Sequence, residues 1–166
     1  KRREPLTIVG PVGLENWFER VMETAFPGSA KATRKFDLHL RELAAGTCVD
    51  IGGIRVLGEQ ALHGPPGGPY LCVRVEAEGR SVAYTGDTEW TEALIPIARD
   101  ADLFIAEAYF RDKTAVTHLS LHSIEDHLED LRPKRLILTH MSEEMLAHPD
   151  LAHFETAEDG KTITTA

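Results

Sequence analysis

Three residues of this 166-residue chain share a position that suits chemistry: each stands where an apolar segment runs out into a loop. His63 follows GEQAL and opens the stretch HGPPGGPY, Asp87 follows SVAYTG, and His140 follows RLILT. Imidazole nitrogen and carboxylate oxygen are ligands suited to zinc, manganese or iron, and one carboxylate can bridge two such ions. An aspartate at the mouth of a buried strand needs a partner of this kind, because an unpaired buried charge is strongly unfavourable. The residues alone leave other readings open. The chain has eight histidines, so those at strand ends also fit hydrogen-bonded surface residues, and Asp87 fits the cap of a following helix.

The elements that must position these side chains follow from periodicity. In LENWFERVMETAF the residues Leu14, Trp17, Phe18, Val21, Met22 and Ala25 recur at helical spacing before Pro27-Gly28, which predicts an amphipathic helix with a core-facing stripe and Trp17 and Phe18 as packing residues. FDLHLREL alternates strictly, a strand with one wet side that carries His39. TCVDI, IRVLGEQAL, YLCVRVEAE and RSVAYTG read as successive antiparallel strands, with Glu78-Gly79 as the last turn. From Thr91 a helix is expected with Trp90, Leu94, Ile97 and Ala101 on one side, kinked or delayed by Pro96. The continuous apolar strand LFIAEA, a helix from Ser120 to Leu131 and the strand RLILTH complete an α/β layer. The tail predicts a short helix or loop, a turn at Asp159-Gly160 and a final strand; His148 and His153 lie in its polar part and are not expected to be ligands.

Composition describes a soluble globular protein: 42% apolar and 27% charged residues, with no apolar run long enough to cross a membrane and no signal segment. The length fits a single domain over residues 1–166, without repeats or linkers. Cys48 and Cys72 form no C-x-x-C pattern and read as reduced thiols of a cytoplasmic protein. The net charge of −9 argues against a protein that grips a nucleic-acid backbone and favours a small or local substrate.

The segments AYTGDTEW, LFIAEAYF, HLSLHS and RLILTHMS, in this order, resemble the C-terminal half of the metallo-β-lactamase superfamily, within it the branch of ribonuclease Z and its phosphodiesterase relatives. PLTIVGPVGLENWFERVMETAF is similar to the segment after that branch's first metal motif, so the resemblance covers nearly the whole chain. It implies a four-layer αββα sandwich, of which this chain supplies the later part, and a binuclear centre of two divalent ions: zinc first, manganese or iron as alternatives. By the resemblance, Asp87 bridges the two ions, His140 belongs to the second and His63 completes the first. His118, 22 residues before His140, is the implied general acid, and Glu107 supports the ligands from behind. His122 reads as a surface or capping residue. The implied reaction is hydrolysis of a phosphodiester or similar small ester by a metal-bound hydroxide.

Two departures qualify the resemblance. The family's H-x-H-x-D-H motif should precede PLTIVGPVG and has no counterpart here, which points to an N-terminally truncated domain, inactive by itself. The alternative is a non-catalytic half serving as a scaffold or dimerisation module. The long arm with which ribonuclease Z grasps transfer RNA would lie between His63 and Asp87, which here are 24 residues apart around a tight hairpin. With the acidic charge, this predicts a small-molecule ester substrate and makes transfer RNA an unexpected partner. Surface left bare by the absent strands predicts a homo-oligomer, a dimer.

Overall fold

A computed structural model describes residues 2–113 and 116–165, which divide into two compact units, residues 1–44 and 45–166. In the first unit β1 (Leu6–Pro11) and β2 (Leu38–Leu43) pair in parallel, Leu6 opposite Leu38 through Pro11 opposite Leu43. Between them runs α1 (Leu14–Ala25), so the unit is a βαβ crossover. The periodic stripe of α1 is real as a helix, but only Leu14 is buried; Trp17 is 54% exposed. The expectation that Trp17 packs in a core is corrected here: a two-stranded sheet offers too little surface to cover a twelve-residue helix.

The second unit is built on one six-stranded sheet in the order β3 (Thr47–Ile51), β4 (Ile54–Gln60), β5 (Leu71–Ala77), β6 (Arg80–Tyr84), β7 (Leu103–Glu107) and β8 (Leu136–Thr139). The first four strands are antiparallel neighbours, and β6, β7 and β8 are parallel. Because β4 and β6 flank the reversed strand β5, the strands β4, β6, β7 and β8 all run the same way. Their C-terminal ends therefore emerge at a single edge.

The core lies between this sheet and its helices. Phe104 and Leu138 from β7 and β8 are fully buried with Leu94 and Ile97 of α2 (Leu94–Ala98), Leu121 and Ile124 of α3 (Leu121–Asp126), Leu131 of α4 (Leu128–Leu131) and Met145 of α5 (Glu143–Leu146). Pro96 sits in the first turn of α2, where its missing N–H costs nothing, so it delays the helix rather than kinking it. The helix expected from Ser120 to Leu131 is broken at His127 into α3 and α4. Its apolar positions keep their inward direction across the break, which is why periodicity did not reveal it. The turn at Gly160 forms, with Lys161 N–H donating to the Glu158 carbonyl, but no strand follows among the described residues.

At the opposite edge Asp102 ties the starts of three strands. Its carboxylate accepts from the backbone N–H and hydroxyl of Ser81 (2.7 and 3.2 Å) and from Lys134 Nζ (2.8 Å). Lys134 and Ser81 hold the Asp102 carboxyl down to about 2. A carboxyl depressed in the folded state stabilises it above its ordinary value, near 4, and loses that contribution as pH falls towards about 2. The urea midpoint is therefore expected to fall across that window. Asp102→Asn should be less stable at neutral pH, with a flatter acid dependence; equal acid slopes in the two proteins would show that Asp102 is not the group responsible.

Candidate metal centre

The common edge of β4, β6, β7 and β8 gathers the residues expected to do chemistry. His63 lies three residues beyond β4, Asp87 three beyond β6, Glu107 ends β7 and His140 directly follows β8. His118 arrives on the connection from β7 to α3, where Ser120 bridges Phe110 in parallel pairing. Asp87 does not cap a helix: α2 begins only at Leu94, with Ala93 at its N-cap. Among the remaining histidines, His122 pairs with Asp126 on the surface, His127 stacks on Trp90, and His148 accepts the Asp150 N–H.

One oxygen of Asp87 faces two imidazoles: Oδ2 is 3.7 Å from His63 Nε2 and 3.6 Å from His140 Nε2. These separations exceed hydrogen-bond range, about 2.7–3.2 Å. Two ligand atoms each about 2.0–2.2 Å from one tetrahedral ion lie about 3.3–3.6 Å apart, so the donor set fits a divalent cation better than direct ion pairing. The His118 ring lies against the same group, 5.1 Å from His63 and 5.3 Å from His140 between centroids. Ligand atoms of His63, Asp87 and His118 all fall within 4.8 Å of one another, as do those of Glu107, His118 and His140.

The imidazoles are oriented by contacts behind them. His63 Nδ1 lies 2.9 Å from the Thr117 carbonyl, which can only accept; a proton is therefore on Nδ1, and Nε2 faces Asp87. His118 Nδ1 donates to Glu107 Oε2 at 2.8 Å, leaving its Nε2 free, and Tyr109 stacks on the other face of the ring at 4.6 Å. Glu107 is 1% exposed and also accepts from the N–H groups of Thr88 and Leu119. Burial pushes its carboxyl above the ordinary glutamate range, against the pull of these donors and of His118. His140 and Thr117 hold left-handed backbone conformations, φ 50° and 77°. Such strain costs about 1–3 kcal/mol per residue and survives where the surroundings over-determine it, as around a functional site.

Sequence reasoning missed Tyr109, Thr117 and Glu89. Tyr109 carries a signal in retrospect, two residues beyond Glu107 where the strand runs out. Thr117 acts through its backbone, which no residue pattern reports. A cavity of about 480 Å³ at the opposite sheet edge, lined by Arg74, Glu76, Arg80, Asp102 and Lys134, holds charges that pair with one another.

Sheet order and donor set together define a metallo-β-lactamase fold, an α/β sandwich. The chain belongs to the beta-lactamase superfamily domain family, whose model matches residues 1–141. A ribonuclease Z of Geobacillus kaustophilus is 30% identical over 190 residues, covering 83% of this chain; the chain spans 60% of that relative's length. The alignment is longer than the 166 residues of this chain, so the relative carries insertions without counterpart here. The crystal structure of human tRNase Z, short form, matches with a TM-score of 0.72 at 23% identity, over 98% of this chain and 67% of that one. Zinc-bound PqqB of Methylobacterium extorquens matches with a TM-score of 0.69 at 15% identity, over 96% and 65%. These two likenesses bear on the fold alone.

The relatives correct one expectation. A small-molecule ester as substrate, with transfer RNA an unexpected partner, conflicts with curated relatives named ribonuclease Z. That expectation rested on the short hairpin between His63 and Asp87 together with a net charge of −9 treated as a local field. Summed charge does not report the potential at a site built to hold divalent cations, nor at surfaces that a chain spanning 60% of its relative's length does not include.

Proposed function

We propose that the protein carrying this chain is a metal-dependent phosphodiesterase acting on RNA, with transfer RNA precursors the first substrates to test. The observation that carries this reading is the single Asp87 oxygen set between His63 and His140 at ligand spacing, in a chain similar to a ribonuclease Z. His63, Asp87 and His140 offer imidazole and carboxylate donors that would hold divalent ions, two of them and zinc first, together with donors outside these residues. When bound, such ions polarise a phosphoryl oxygen and make water nucleophilic near neutral pH.

The chain's own residues do the rest. His63, Asp87 and His140 hold the centre at the sheet edge. His118, its Nδ1–H tied to Glu107, presents the Nε2–H of its imidazolium form to the leaving oxygen and gives it that proton, returning to the neutral Nδ1–H form. Glu107 fixes the ring and keeps that tautomer. The hairpin between β5 and β6 turns at Glu78-Gly79, so substrate grip is assigned to other surfaces than this turn. The two units are read as parts of one domain, a reading supported by a family match that runs from residue 1 to 141 across both. A cytoplasmic location is supported by the free thiols of Cys48 and Cys72; no helix among the described residues is long and apolar enough to cross a membrane.

The test is cleavage of a transfer RNA precursor transcript and of bis(p-nitrophenyl) phosphate by the zinc-loaded protein. Hydrolysis of both, abolished by chelation and restored by zinc, is the expected result. Inertness towards both at full metal occupancy would remove the phosphodiesterase reading.

A further inference from the structure

Resting on the metal-centre reading above, we propose that Glu89 is a positioning residue which, through the backbone of Thr117, fixes the tautomer and direction of the His63 imidazole. Glu89 follows Asp87 by two residues and belongs to neither group of clustered donor atoms among the described residues. Its carboxylate Oε1 accepts the Thr117 N–H at 3.0 Å, and the Thr117 carbonyl in turn accepts His63 Nδ1–H at 2.9 Å. Thr117 is thus held at both its N–H and its C=O, and the residue so held is a β-branched one at φ 77°. Left free, a threonine leaves that region; the two ties are what the observed strain requires.

Glu89 is itself anchored to the strand end that delivers His63. Its N–H donates to the Leu62 carbonyl at 2.9 Å, and the Leu62 N–H donates to Thr88 Oγ1 at 2.8 Å. The connections through 61–63, 87–89 and 117–119 are therefore stitched into a closed loop of hydrogen bonds around the donor set, and Glu89 supplies two of its contacts. Thr117 immediately precedes His118, so the same stitch sets where the His118 ring lies against His63, 5.1 Å between centroids. A histidine with a fixed Nδ1–H donor partner presents Nε2 to a cation without reorganising, and loss of such a partner costs roughly 10- to 100-fold in metal affinity.

The test compares Glu89→Ala with Glu89→Gln in the intact protein. The amide oxygen of glutamine still accepts the Thr117 N–H, whereas alanine removes the acceptor. Two readouts are needed: two-bond proton–nitrogen correlation spectra of the ¹⁵N-histidine-labelled, metal-free protein, which report the tautomer of His63, and zinc affinity by competition with a chromophoric chelator. Glu89→Ala should convert His63 from a single Nδ1–H form into a tautomer mixture and weaken zinc binding roughly 10- to 100-fold, while Glu89→Gln stays within about 3-fold of wild type in affinity and keeps the tautomer. Should Glu89→Ala not fold, Glu89→Asp, which keeps the charge but shortens the reach, is read on the same two scales with the expectation set for alanine. A single unchanged His63 tautomer in a folded alanine or aspartate variant would overturn the proposal. If wild type binds no zinc, the metal reading fails on that measurement, while the tautomer comparison still decides whether Glu89 positions His63.

Discussion

Asp87→Ala is expected to strip the protein of bound metal and to lower phosphodiester hydrolysis by roughly 10³-fold or more, equivalent to about 4 kcal/mol of transition-state stabilisation. A single carboxylate oxygen stands 3.7 and 3.6 Å from the Nε2 atoms of two imidazoles, and no other carboxylate stands between those two rings among the described residues. Remove it and His63 and His140 lose the carboxylate that both of them face. The competing account, an aspartate that merely holds its loop, predicts something different: metal retained and stability reduced. Elemental analysis of wild type and variant separates the two. Unfolding temperatures with and without zinc add a second check, because a ligand that binds only the folded state raises stability. Wild type should gain on zinc addition and Asp87→Ala should not, while the two metal-free proteins unfold close together, since Asp87 is one-third exposed and outside hydrogen-bond range of both rings. Metal at wild-type stoichiometry in the variant would sink the reading of Asp87 as the shared ligand.

What could be read in the sequence divides along a physical line. His63, Asp87 and His140 were legible because a chemical side chain after an apolar run marks a strand end. Parallel strands that share a direction then bring such ends together without further information. The six strands of the main sheet were legible for the same local reason. β1 was not, because LTIVGP is a short apolar run between prolines and becomes a strand only by pairing with β2, beyond a whole helix. The break at His127 was hidden since Leu121, Ile124, Leu128 and Leu131 point inward on either side of it. The final strand was over-read: KTITT has β-branched residues but no neighbouring strand to pair with among the described residues. Glu89 and Thr117 belong to a further class, residues whose role exists only once three connections meet, and no spacing encodes that meeting. The substrate was misjudged from the short hairpin between His63 and Asp87 together with bulk charge, a property of the whole chain applied to one edge of it.

Replacing His118 by glutamine should lower hydrolysis of a substrate with a poor leaving group by roughly 10²–10⁴-fold, the range for loss of a positioned general acid. The same change should matter far less for a p-nitrophenyl leaving group, which departs without a proton. This contrast is needed because the geometry admits a rival. His118 ligand atoms fall within 4.8 Å of those of both His63 and Asp87, close enough for the ring to serve as another metal ligand. A ligand role predicts loss of metal together with equal losses for both leaving groups. An acid role predicts unchanged metal content and a loss graded by leaving-group basicity. The surroundings favour the acid. Glu107 is 1% exposed with its two oxygens shared among the Thr88 and Leu119 N–H groups and His118 Nδ1, and Tyr109 stacks on the ring at 4.6 Å. A carboxylate accepting from Nδ1–H stabilises the imidazolium that a proton donor must start from, and burial keeps the pair from trading its partner for water. Glu107→Gln should therefore share the leaving-group dependence of His118→Gln with a smaller loss, its amide still able to accept from Nδ1–H but without the charge. If both variants shed metal in step with activity, His118 is a ligand, and the proton must come from another group at the edge.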